Sequence, residues 1–92
     1  MSLAAITVKA KIALDQMPVE NQAKVSEATK IENLDEWIGY RVVQSLAVAE
    51  GRLCLEAAME LHNWLGNSVE DFNNQPVEVR MIAFMTFREL IQ

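Results

Sequence analysis

Apolar residues recur along the middle of the chain at steps of three and four. Leu34, Ile38, Val42, Leu46, Ala49, Leu53, Ala57, Leu61 and Trp64 form one continuous stripe, the spacing of an amphipathic helix. A second stripe runs beside it through Tyr40, Ala47, Gly51, Cys54, Ala58 and Leu65. It consists mainly of small residues, the kind that let a neighbouring backbone come close. The pattern predicts one long helix over 33–66, with a bend near Gly51. Asn33 with Glu36 three residues later has the form of a capping box. Asp35 and Glu36 place negative charge at the positive end of the helix dipole. Gly66, after His62 and Asn63 in the last turn, supplies the stop. The remaining polar face carries Arg41, Glu50, Arg52, Glu56 and Glu60, with Arg52 and Glu56 spaced for an i,i+4 pair.

The flanking segments are less decisive. Ile6, Val8, Ala10, Ile12 and Leu14 alternate like a half-buried strand. Leu3, Ile6, Ala10, Ala13, Leu14 and Met17 fit a helix as well, with Ser2 as its cap. Helix is the preferred reading, because a lone strand lacks a partner. Pro18 ends this segment and suits the first turn of the next. Residues 19–30 are polar and helix-friendly, with Glu20–Lys24 and Glu27–Lys30 spaced for ion pairs, and read as a weakly anchored helix or a solvated linker. Ser68 with Asp71 caps a short turn holding Val69 and Phe72. Asn73 to Pro76 is a loop. Residues 77–91 read as a buried helix whose Met81, Phe84, Met85 and Phe87 form a soft aromatic cluster for a core or a subunit interface.

The resulting expectation is a single domain over 1–92, all-α, with three to four helices around the rod at 33–66. The alternative is an α+β fold with strands near 5–14 and 77–83. Two apolar stripes leave the rod only a narrow polar face. A chain of 92 residues builds a thin core and falls short of covering that much surface. A second copy, in a dimeric bundle, is therefore expected. The candidate seam is Ala47, Gly51, Cys54 and Ala58, together with Met81, Phe84 and Met85.

Charge narrows the partners. Thirteen acidic against eight basic residues leave a net charge of −5, and the basic residues are scattered, which argues against direct nucleic-acid binding. One cysteine allows no internal disulfide. Neither a signal-peptide pattern nor an apolar run of membrane-spanning length is present. These features predict a cytoplasmic protein with no membrane association.

Candidate chemistry is sparse. Cys54 and His62, the only residues of their types, lie about 12 Å apart along a helix at ~1.5 Å per residue, too far for a nucleophilic pair. They also fall short of the roughly four ligands that zinc takes. Glu32-x-x-Asp35 has a carboxylate spacing that a small all-α nucleotide hydrolase would use for Mg²⁺ or Mn²⁺, and Glu56-x-x-x-Glu60 can face one side of a helix. Such spacings also arise often on solvated helices. Glycine-rich phosphate loops, Cys-x-x-Cys and Gly-x-Ser-x-Gly are missing from the sequence. No catalytic, cofactor or metal residues are assigned and no cofactor is expected. The leading expectation is a non-enzymatic interaction module, a homodimer that binds another protein. The alternatives are the metal-dependent hydrolase and an acidic regulator of a nucleic-acid-binding protein.

Overall fold

The capping chemistry of the sequence sets several of the helix boundaries. A computed structural model describes residues 3–92. Among them are six helices and no strand: α1 (Leu3–Asp15), α2 (Val19–Ala28), α3 (Leu34–Ala49), α4 (Leu55–Leu65), α5 (Val69–Asn73) and α6 (Val77–Ile91). The fold is all-α, and the strand alternatives at 5–14 and 77–83 are overturned. Both segments bury helical faces instead: Leu3, Ile6 and Ala10 on α1, and Ile82, Ala83, Thr86, Phe87 and Leu90 on α6. The expected Ser2 cap lies outside the described residues. Asn33 accepts from the Glu36 amide at 2.9 Å, and Ser68 accepts from the Asp71 amide at 3.1 Å, as their positions predict. The Glu36 carboxylate accepts from the Tyr40 hydroxyl at 3.2 Å. Residues 19–28 are helical but bury none of their side chains.

The single rod over 33–66 is corrected to a helical hairpin. Gly51 has φ of +72°. The Gly51 amide donates to the Val48 carbonyl at 3.1 Å, and the Arg52 amide to the Ala47 carbonyl at 2.8 Å. That pair of bonds is a Schellman ending with glycine at its left-handed position. Cys54 then serves as the N-cap residue of α4. The apolar stripe runs through the break without a change of step, which hides the turn in the sequence.

One strip of α3 holds the hairpin closed. Trp37, Arg41 and Gln44 lie at i, i+4 and i+7, so they share a face. The Trp37 indole donates to the Leu65 carbonyl at 3.0 Å, and the Gln44 amide donates to the Ala58 carbonyl at 2.7 Å. Arg41 donates to the Gly66 carbonyl and pairs with His62 Nδ1. The Trp37 and Arg41 donors satisfy carbonyls at the end of α4 that the helix itself leaves free, whereas Gln44 reaches a carbonyl in the first half of α4.

The main core gathers Ile31, Ala47, Leu53, Ala57, Leu61, Leu65, Phe72, Phe87 and Leu90 between the hairpin, α5 and α6. A smaller cluster of Ile6, Ala10 and Ile82 seats α1 on α6. Arg80, only 4 % exposed, clasps the rest. Its guanidinium donates to the Ser26 carbonyl at 2.8 Å, to Ser26 Oγ at 3.0 Å and to Thr29 Oγ1 at 3.3 Å. It also donates to the Gln75 carbonyl. Burial lowers its pKa, a shift opposed by the charge of Glu27.

Candidate functional site

Large apolar side chains are exposed on several helices, including Val8 and Ile12 on α1 and Leu55 and Met59 on α4; two surfaces gather the longest apolar rows. The first is the outer face of α3. Leu34, Ile38, Val42 and Leu46 are 58, 45, 50 and 54 % exposed, although their spacing predicts a core stripe. The inward face of the helix is taken by Tyr40, Val43, Gln44 and Ala47, so the four-step ridge points away from the protein. Gly39, Ser45 and Ala49 flank it and are also exposed. A Cβ on Gly39 would meet nothing within 4 Å. The second half of the same stripe, Leu53, Ala57 and Leu61, is buried on the hairpin. The stripe thus divides at the Gly51 turn into a covered part and an open part.

The second surface is a groove of about 800 Å³ between α3, α6 and the end of α2. Met81, Phe84, Met85 and Phe87 line it from α6, with Tyr40 from α3. Tyr40 stacks on Phe87 with centroids 4.5 Å apart and meets Phe84 edge-on at 5.6 Å. Phe84 in turn meets Phe72 edge-on at 5.7 Å, so the groove wall is tied to the core. Glu36 and Arg88 bring opposite charges to the two walls. The Tyr40 hydroxyl has its pKa pushed up to about 12, first by burial and then by the charge and hydrogen bond of Glu36.

The expected seam residues separate into three places. Ala47 and Ala58 are buried within one chain, while Gly51 and Cys54 are exposed on the connection between α3 and α4. Met81, Phe84 and Met85 come together in the groove. The exposed ridge on α3 was not among them. Its signal was present in the four-step spacing, but spacing alone does not tell a buried stripe from an open one.

Arg41 belongs to the hairpin and not to a solvated face: it also sits 4.9 Å over the Trp37 ring, and burial lowers its pKa. Arg52 lies 3.7 Å from Glu50, in place of the i,i+4 partner Glu56. Glu27 and Lys30 form the expected pair at 3.1 Å. Among the described residues no three His, Cys, Asp or Glu side chains gather to hold a metal. No described helix is long and apolar enough to cross a membrane. Comparison of the chain with protein-family models, curated proteins and solved structures gives no match to any of them.

Proposed function

We propose that the chain is a non-enzymatic protein-interaction module that works as a homodimer through the outer face of α3. The observation that carries this reading is the exposure of Leu34, Ile38, Val42 and Leu46, each at 45 % or more, on one helix face. Four large aliphatic side chains in an unbroken row form a patch of the kind that marks a binding surface. Burying each such side chain contributes on the order of 1 kcal/mol or more.

The shape of the row favours a second copy as its cover. Residues at four-step spacing form a ridge. The small residues beside it, Gly39 on one flank and Ser45 with Ala49 on the other, form shallow grooves. A ridge of this kind packs into the groove of an identical helix at a crossing angle near −50°. A twofold axis then needs only one self-complementary patch. At that angle the acidic ends, Asp35 and Glu50, diverge from their counterparts. The net charge of −5 further disfavours nucleic acid as the occupant.

Sedimentation equilibrium tests the reading. The expected result is twice the mass of the 92-residue chain. Val42→Asp, at a site with no role in the protomer core, should return the mass to that of one chain with an unchanged helical circular dichroism spectrum. A wild-type mass of one chain at high micromolar concentration would refute the homodimer.

A further inference from the structure

The groove between α3 and α6 faces away from the α3 ridge, because Glu36 and Tyr40 project from the opposite side of the same helix. It therefore stays open when the ridge is covered. Along its α6 wall, Met81, Phe84, Arg88 and Ile91 follow steps of three, four and three residues. That is the spacing of a seam that receives another helix. Methionines at two of the lining positions, Met81 and Met85, give an adaptable apolar surface, and Phe84 gives it a fixed one.

Arg88 decides what the occupant must be. It stands in the seam where an apolar residue is the rule, and it is exposed. Among the described residues it forms no ion pair. A purely apolar helix laid over it would bury its charge without a partner, which is costly. A second α6 in parallel register would set Arg88 against its own copy. A carboxylate at the facing position removes both penalties and fixes the register of the docked helix. Glu36 on the α3 wall disfavours any further acidic residue on that side.

We infer that this groove binds an amphipathic helix of a different polypeptide, with apolar residues at heptad spacing and one acidic residue that pairs with Arg88. The inference does not depend on the dimer: it concerns a separate face and a separate partner.

The probe is a pair of fluorescently labelled synthetic helices of about three heptads, leucine at the seam positions except one. That position holds glutamate in one peptide and lysine in the other. Binding to the full chain is read by fluorescence anisotropy. The glutamate peptide should bind at least about tenfold more tightly than the lysine peptide. Arg88→Glu should invert the preference, and Met85→Glu should weaken both peptides. Val42→Asp, which changes the other face, should leave both affinities unchanged. Equal affinity for the two peptides, a preference that Arg88→Glu does not invert, or loss of binding in Val42→Asp would each overturn the assignment. Circular dichroism of Arg88→Glu checks that the exposed substitution leaves the fold intact.

Discussion

The side-chain amide of Asn73 pairs with both backbone groups of Ile31. Asn73 Oδ1 accepts from the Ile31 amide at 2.9 Å, and Asn73 Nδ2 donates to the Ile31 carbonyl at 2.8 Å. The pair joins the α2–α3 connection to the end of α5 and holds Ile31, which is 1 % exposed, in the core. Asn73→Asp keeps the acceptor but turns the donor into a second anionic oxygen facing a carbonyl. The variant should lose about 1–3 kcal/mol at neutral pH. It should recover part of that loss below about pH 4, where the new carboxyl gains a proton and can donate. Urea denaturation at both pH values checks the recovery.

Tyr40 links the groove to alkaline stability. Its folded-state pKa of about 12 lies above the ordinary value of 10.0. Between those values the unfolded chain gives up the proton while the folded chain keeps it. The unfolded state then binds fewer protons, so stability falls as pH rises through this window. Because the ring is partly exposed, solvent screening limits the loss to about 1 kcal/mol. Tyr40 is the only tyrosine, so phenolate absorbance reports it alone. The titration midpoint should lie near 12 in the folded protein and near 10 in denaturant. Tyr40→Phe should flatten the stability profile across the window.

Gly66 and Gly51 both have positive φ, yet their alanine variants should differ. Gly66 has φ of 67° and ψ of −154°, a region open to almost no other residue. A Cβ there would lie 2.4 Å from the Asp71 Cβ. Gly66→Ala should cost roughly 3 kcal/mol or more, combining backbone strain with the clash. A Cβ on Gly51 meets nothing within 4 Å, so Gly51→Ala should cost about 1 kcal/mol. Thermal melts of the two variants give the comparison.

Arg80→Met removes the donor shared by the end of α2, Thr29 and the loop before α6. The partly buried carbonyls of Ser26 and Gln75 then lose their partner, at a cost of about 1–3 kcal/mol. The loss should be local. Hydrogen exchange should speed up first in α2, which has no buried side chain of its own, while α4 amides remain protected.

Gly39→Ala should have effects of opposite sign on the protomer and the dimer. The added methyl group enters open space and improves helix propensity by up to ~1 kcal/mol. If a second α3 crosses at this point, the same methyl group holds the two backbones apart. Melting at a concentration that keeps the chain monomeric should show stabilisation. Sedimentation should show weaker association.

Local chemistry made much of this fold legible. Asn33, Ser68, Pro76 and Gly66 mark helix ends through side-chain or backbone requirements that hold in isolation. The Gly51 break was masked, because Ala49, Leu53 and Ala57 carry the helical step straight across it. Arg80 was equally hidden. A cation among apolar neighbours reads as surface, and acceptors on Ser26 and Thr29, distant in sequence, together with the nearby Gln75 carbonyl, make its burial tolerable. The groove was half legible: Met81, Phe84 and Met85 announced an apolar cluster, whereas its opposite wall of Glu36 and Tyr40 comes from another helix. Exposure of the α3 ridge depends on which face the hairpin and α6 occupy, and periodicity carries no such information.

The seating of α1 on α6 has a consequence for how the chain acquires its structure during synthesis. Ile6 and Ala10 have their buried neighbour Ile82 more than seventy residues further along the sequence, so α1 waits for α6. Until α6 has been made, α1 lacks the main surface that covers its apolar side chains, while the α3–α4 hairpin can already close on contacts near in sequence.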